Sequence, residues 1–356
     1  MRHTAVAPLI AALLLPWAPF IAPAAAQSGT AAVVPASTAA EPAPKANAPA
    51  KVLFGAVKTP APLAARSIGF YARGCLAGAR PLPVDGPAWQ AMRLSRNRNW
   101  GHPAMIAWLE RFAKEAQAKD AWPGLLVGDI AQPRGGPMLT GHASHQVGLD
   151  ADIWLTPMPQ RRLTEQEREE LSATSMLAPD KVSVDPNIWT ETRAKLIRRA
   201  ATYPEVERIF VHPAIKKALC EAAPWLGADR AWLDKVRPYW GHFYHFHVRL
   251  HCPKDSPNCR AQDPVPGGGD GCGQELADWL KRVSAPPAPP PAKPAPPKPP
   301  ITLAGLPAEC RVVLDSGKAP AAAVHAPATA PAPASAAAPA GKSDSPTIED
   351  LLARQQ

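Results

Sequence analysis

Between residues 100 and 255 the apolar positions change period several times. Met105, Ile106, Leu109, Phe112 and Ala116 recur at helical spacing behind Pro103, a residue favoured in a first helical turn, so a helix is predicted there. Gly124-Leu-Leu-Val-Gly-Asp-Ile130 reads as a strand. Thr164 with Glu167 three residues on makes a capping box for a charged helix. A helix rich in Arg and Ala follows Trp189, and Ile209-Phe210-Val211 is short and β-prone. Two short helices are predicted over 213–222 and 228–236, and Phe243 to Leu250 reads as a strand. Regular strand–helix–strand repetition is missing, so the pattern predicts an α+β fold with a small antiparallel sheet.

The flanks lose this patterning. Arg2 and His3 precede an apolar run from Ala5 to Ala22, and Ala24-Ala25-Ala26 offers a cleavage site before Gln27, so residues 1–26 read as a signal peptide. Pro8, Pro16 and Pro19 interrupt the run and argue against a membrane helix. Residues 27–52 form an Ala/Pro-rich linker. Ten Pro among the 16 residues of 285–300 predict a stiff extended spacer. The folded domain is therefore expected over 53–284. The spacer and a tail carrying Cys310, residues 285–316, are expected to lie on that domain, followed by a disordered Ala/Pro-rich tail over 317–356. Within that tail Ile348, Leu351 and Leu352 suit a short amphipathic helix. Of the 356 residues, well over half thus belong to one domain of ordinary size.

Charge and cysteine usage narrow the partners. The formal net charge of +9 favours an anionic partner without choosing one. Basic residues do not interleave with aromatics in a nucleic-acid pattern. No second long apolar stretch exists, so no integral membrane span is expected after signal cleavage. Six cysteines in an exported chain suggest three disulfides, for which 15 pairings exist. Cys252 and Cys259 bracket a short loop and suit a local bridge. Without a C-x-x-C pair, a Cys-rich structural zinc site is disfavoured.

The histidines carry the chemistry. One cluster is Gly141-His142-Ala-Ser-His145-Gln-Val-Gly-Leu-Asp150-Ala-Asp152-Ile-Trp154. The other is Trp240-Gly-His242-Phe-Tyr-His245-Phe-His247-Val-Arg249-Leu250. Strand alternation puts Asp150, Asp152 and Trp154 on one face and Ala151, Ile153 and Leu155 on the other. It likewise puts His245, His247 and Arg249 opposite Phe246, Val248 and Leu250. Two such strands can converge on one ion: imidazole and carboxylate are ordinary zinc ligands, and two His with one carboxylate also suit non-haem iron. Asp150 reads as a turn or supporting carboxylate and Arg249 as a solvated strand residue, while His102, His212, His251 and His325 read as structural or surface residues. No H-E-x-x-H, G-x-S-x-G, S-x-x-K, P-loop or dinucleotide fingerprint occurs.

His145-x6-Asp152 followed far downstream by His245-x-His247 resembles the LAS group of zinc peptidases: lysostaphin-type, D-Ala-D-Ala-type and hedgehog-like domains. Longer strings are similar to the penicillin-insensitive murein endopeptidases within it. They are Ser95-Arg-Asn-Arg-Asn-Trp-Gly-His-Pro103, the 141–154 cluster, Arg208-Ile-Phe-Val211, Lys235-Val-Arg-Pro-Tyr-Trp240 and His245-Phe-His-Val-Arg-Leu250. The resemblance spans residues 65–312 and leaves out the Ala/Pro-rich tails.

That resemblance implies a LAS/hedgehog-like sheet carrying a zinc ion on His145, Asp152 and His247, with His245 and His242 as catalytic histidines. Either of these two can serve as the proton acceptor. His142 matches a second metal site in such enzymes, for which Asp180 and Asp185 are the nearby carboxylates in this chain. The implied disulfides are Cys75–Cys310, Cys220–Cys272 and Cys252–Cys259. The implied activity is zinc-dependent, penicillin-insensitive hydrolysis of peptidoglycan cross-links in the periplasm. The bond is D-alanyl–meso-diaminopimelate, with diaminopimelate–diaminopimelate as a second candidate. The alternatives are a noncatalytic zinc-containing peptidoglycan-binding module and a D,D-carboxypeptidase.

Overall fold

A computed structural model describes residues 48–227, 229–265, 267–285 and 299–317. The signal peptide, most of the linker, His325 and the tail with its expected helix lie outside the described residues.

The chain opens with helix α1 (Ala50–Ala56), three residues before the boundary read from composition. The reason is burial: Ala50 and Phe54 are core residues, and the Ala50 backbone N–H donates to Ile301 O. Strands β1 (Arg66–Phe70) and β2 (Arg73–Ala77) form a separate antiparallel hairpin. A second small pair joins β3 (Arg80–Pro81) to β5 (Trp100–Gly101), with β4 (Trp89–Ala91) between them in sequence. Helix α2 (Pro103–Asp120) leads to β6 (Leu125–Val127) and, after a long loop, to β7 (Asp150–Trp154). Then come α3 (Glu165–Glu170), α4 (Glu191–Thr202), β8 (Val206–Val211) and α5 (Pro213–Leu226). The remaining elements are β9 (Val236–Pro238), β10 (His245–Leu250), α6 (Gln274–Ser284) and α7 (Glu309–Asp315).

The class is α+β, but the main sheet is larger than expected and not purely antiparallel. Its six strands run in the order β4-β6-β7-β10-β8-β9. The centre, β6-β7-β10-β8, is antiparallel, whereas β4/β6 and β8/β9 are parallel. Each parallel pair is joined through a helix, α2 or α5, as parallel pairing requires. The helix expected over 228–236 is instead a 3-10 turn at Ala231–Lys235. Val236–Pro238 then pairs with Ile209–Val211, which brings the helical path to an end.

Alternation gives the sheet two unlike faces. Ala151, Ile153, Phe246, Val248, Ile209 and Val211 belong to the main core. Leu109 and Phe112 of α2, Leu196 and Ile197 of α4, and Ile215 and Leu219 of α5 belong to the same core. Phe112 meets Phe246 edge-on at 6.4 Å between ring centres and stacks on Trp108 at 5.0 Å. Burying each such side chain contributes about 1.5–3 kcal/mol. Two helices start alike: His102 and His212 each precede a Pro and accept, through Nδ1, the backbone N–H two residues on. Both are therefore N-caps, which satisfies an otherwise orphaned donor. The capping box at Thr164 and Glu167 is present.

The far ends of the described chain meet over the β1–β2 hairpin. Ala50, Phe54, Ile68, Cys75, Leu306, Cys310, Val313 and Leu314 form a second apolar cluster. Within it Cys75 is bonded to Cys310; Cys252–Cys259 closes a loop that pairs with Gly69 of the same hairpin, and Cys220–Cys272 ties α5 to the segment before α6. Arg134 reinforces the junction by donating to Val313 O and Leu314 O at 2.8 and 2.7 Å. Three disulfides suit an oxidising compartment. No helix among the described residues is long and apolar enough to cross a membrane.

The Cys75–Cys310 bond spans 235 residues, so it removes much of the freedom of the unfolded chain. The chain-entropy relation gives about 5 kcal/mol for a loop of that size, an upper figure. Cys310→Ser is expected to lower the melting temperature in scanning calorimetry while the folded protein keeps its secondary structure by circular dichroism. Equal melts for the two proteins would show the bond to be structurally idle.

Candidate active site

Opposite the core face, β7 and β10 present their polar residues to each other. The antiparallel register sets Asp152 across from His247, Trp154 across from His245, and Asp150 across from Arg249. His145 arrives from the loop before β7 in a left-handed conformation (φ 65°), a state that costs about 1–3 kcal/mol for a residue with a Cβ. Two bonds hold it there. Its backbone N–H donates to Asp150 Oδ2 at 2.9 Å, and its Nδ1–H donates to Ile130 O at 2.7 Å.

The outer partners fix which ring nitrogen faces inward. With Nδ1 donating to a carbonyl, His145 turns the lone pair of Nε2 towards Asp152. His247 donates Nε2–H to Asp150 Oδ1 at 2.9 Å, so its Nδ1 lone pair faces the same point. His145 Nε2, His247 Nδ1 and Asp152 Oδ1 are then 3.2, 3.2 and 3.4 Å apart in pairs. With both rings neutral in these tautomers no proton lies among the three atoms, which then repel unless a cation lies between. Ligands about 2.0–2.1 Å from a tetrahedral metal stand about 3.3 Å from one another, which this triangle matches. Asp152 Oδ1 is buried with no hydrogen-bond partner, as a ligand atom would be. The trio therefore fits a small divalent ion.

Asp150 is the hinge of this arrangement. Besides orienting both histidines, it accepts Arg249 Nε at 2.8 Å. Arg249 is buried rather than solvated, its guanidinium lying 4.1 Å from the Tyr71 ring centre and 5.2 Å from that of Phe210. Burial alone would raise the Asp150 carboxyl, but Arg249 and His247 outweigh it and hold it well below the usual range. For Asp152, burial is likewise overcome, here by the imidazoles of His245, His145 and His142. Burial would depress His247, yet the Asp150 carboxylate raises it.

His142, His245 and His242 ring this trio. The ligand atoms of His142, His145 and Asp152 lie within 4.8 Å of one another. His142 Nε2 sits 3.5 Å from Asp152 Oδ2 and 2.9 Å from Asp129 Oδ2. Asp180 and Asp185 do not join that group. Asp180 closes its own turn on the N–H groups of Val182 and Ser183, and Asp185 accepts the Asn187 N–H. His245 Nε2 lies 3.6 Å from Asp152 Oδ1, and its Nδ1 has no hydrogen-bond partner. His242 donates Nδ1–H to Trp240 O at 2.9 Å, leaving Nε2 as an acceptor. Burial and the neighbouring histidines push His242 down to about 3; burial also lowers His245. Both rings are thus neutral at neutral pH. Exposed His251 stands 3.9 Å from Glu207, away from these residues.

Beside the trio opens a cleft of about 210 Å³ lined by Arg93, Arg96, Asp129, His142, Trp154 and His245, among others. Sequence reasoning missed Asp129 and the arginines around it. Asp129 accepts Arg98 at 2.8 Å and Arg96 at 3.1 Å in addition to His142. Burial would raise it, but His142 and Arg98 hold it down to about 2. A charge inside the apolar run 125–130 was the available signal.

Asp152 and His247 on facing strands, His145 from the loop before β7 and three further imidazoles beside them fit a metal-centre protein built on a sheet. The chain belongs to the penicillin-insensitive murein endopeptidase family, whose model matches residues 67–315. A penicillin-insensitive murein endopeptidase of Haemophilus influenzae is 49% identical over 219 residues, covering 61% of this chain and 74% of that protein. Those of Yersinia enterocolitica and Klebsiella pneumoniae are 44% and 42% identical, each covering 70% of this chain and 86% of theirs.

Asp150→Asn keeps the shape but removes the charge that orients His247. A loss of metal affinity of about 10–100-fold is expected, read by competition with a chelator. Unchanged affinity would remove Asp150 from the metal site's support.

Proposed function

We propose that this chain is a zinc-dependent, penicillin-insensitive endopeptidase that hydrolyses D-alanyl–meso-diaminopimelate cross-links of peptidoglycan in the periplasm. The observation that carries the reading is the 3.2–3.4 Å triangle of His145 Nε2, His247 Nδ1 and Asp152 Oδ1, with both imidazole protons turned outward. Membership of a family named for murein endopeptidase activity supplies the substrate. The antiparallel β7–β10 pair that carries Asp152 and His247 supports a LAS/hedgehog-like core. Residues 1–26 act as the export signal and 27–49 as the linker in this reading.

His145, Asp152 and His247 hold the zinc, which when bound supplies a Lewis acid for the scissile carbonyl and makes a water acidic near neutral pH. His245 is neutral, unpartnered at Nδ1 and adjacent to the trio, so it accepts the proton of the attacking water. The same imidazolium then delivers that proton to the departing amine as the C–N bond breaks. His242 acts as a second neutral acceptor at Nε2, fixed by its bond to Trp240 O. No serine is acylated on this route, so a β-lactam finds no nucleophile.

Four variants divide metal holding from proton transfer. His145→Ala, Asp152→Ala and His247→Ala are each expected to lose both zinc, by elemental analysis, and activity. His245→Ala is expected to keep zinc and lose turnover by about 10²–10⁴-fold. Stoichiometric zinc in the first three, or near-full turnover in the last, contradicts the assignment.

The bond is read by digesting purified sacculi. Dimeric muropeptides should fall and monomers rise; release of free D-Ala alone would make the enzyme a carboxypeptidase instead.

A further inference from the structure

The wall of the cleft beside the trio carries more positive charge than its own carboxylates use. Arg93 (φ 58°) and Asn97 (φ 52°) bracket a 3-10 turn at Leu94–Arg96 in left-handed conformations. The turn is pinned from behind. The Arg93 guanidinium donates to the carbonyls of Arg168, Glu169 and Leu171, and Ser95 donates through N and Oγ to the Glu169 carboxylate at 2.8 Å each. Strain of this kind persists only where the surroundings over-determine it, and it gathers at ligand sites. What the turn presents to the cleft is the Arg96 side chain, 47% exposed.

Arg96 is tethered but not neutralised. Its Nη1 reaches Asp129 Oδ2 at 3.1 Å, an oxygen that already accepts buried Arg98 at 2.8 Å and His142 at 2.9 Å. One carboxylate thus faces two guanidinium groups, and Asp152 is committed to the trio. Arg93 is the other guanidinium that lines the cleft, bonded to carbonyls rather than to a carboxylate, while Arg98 lies buried behind Asp129. A guanidinium is the side chain best suited to hold a carboxylate through paired, parallel hydrogen bonds. The distance to the chemistry is short. Arg96 reaches Asp152 through Asp129 and His142, with steps of 3.1, 2.9 and 3.5 Å.

We propose that Arg96 binds the free carboxylate on the diaminopimelate carbon that bears the scissile nitrogen, and so selects links whose leaving amine carries that charge. This rests on the endopeptidase reading above. In such a cross-link the carboxylate is separated from the scissile nitrogen by a single carbon, so it enters the cleft whenever the carbonyl reaches the trio. Arg98, buried and paired with Asp129, keeps the wall intact when Arg96 turns to substrate.

The test compares two soluble cross-linked muropeptides that differ only in this carboxylate, free or amidated, with wild type, Arg96→Gln and Arg96→Lys. Arg96 is half exposed, and thermal melts and zinc content confirm that the variants are intact. Wild type should prefer the free acid. Arg96→Gln should lose roughly 10–100-fold in kcat/KM on the free acid, chiefly through KM, the size of one charge-assisted pair. On the amidated link the same variant should match wild type. Arg96→Lys should keep part of the preference, since charge remains while the fork is lost. An equal loss on both links would overturn the proposal, because Arg96 would then act through Asp129 and His142. Wild type that cleaves neither link would instead refute the endopeptidase reading itself.

Discussion

The antiparallel pairing of β7 with β10 is the constraint on which the rest depends. Because side chains alternate along a strand, one register decision assigns every residue of both strands. With Asp152 opposite His247, the apolar partners Ala151, Ile153, Phe246 and Val248 all fall on the side of α2, α4 and α5. A slip by one residue would drive Asp152 and His247 into that core and lift Phe246 out of it. The hydrophobic effect therefore sets the geometry of the polar face, although no polar residue contributes to the drive.

Holding five imidazoles and three carboxylates in so small and largely buried a volume is costly unless each finds a partner. The structure meets this with an ordered outward chain. The inner ring nitrogens and Asp152 Oδ1 are left bare, the outer ones bond Ile130 O and Asp150, and Asp150 passes its charge to Arg249. Arg249 in turn is sandwiched by aromatic rings, and Tyr71 bonds Leu250 O and Glu207. Removing one member of such a buried pair typically costs about 3–5 kcal/mol, since its partner remains charged. The support of the centre is thus also support of the fold.

Some of this was legible in the sequence and some was not. The period-two alternation of 150–155 and 245–250 contained the two faces of the sheet, because burial on one side forces it. Helix α2 was legible from Pro103 and the spacing of Met105 to Ala116. The parallel flanks were hidden: β4 and β9 are three residues each, too short to show a period. Cys310 announces a tail lying on the domain, but not that Leu303, Leu306 and Val313 complete a core whose other half lies near residue 54. The role of Asp129 and Arg98 was hidden for a related reason: it comes from a contact between residues 31 apart. Arg249 is buried where a solvated residue is expected, since alternation tells which face a residue takes but not what covers that face.

The bond between Cys75 and Cys310 has a consequence for how the molecule is made. A chain that emerges N-terminus first presents Cys75 before any other cysteine, and its partner last. Cys220, Cys252, Cys259 and Cys272 all appear in between, and every one of them is an accessible wrong partner until its own bridge closes. An oxidant that joins cysteines in order of appearance would link Cys75 to Cys220. Reaching the native set from there takes thiol–disulfide exchange, attack by a free thiolate on the misplaced bond. Were its cysteines oxidised in order of appearance, the native set would be reached only through exchange, a demand written in the order of the cysteines.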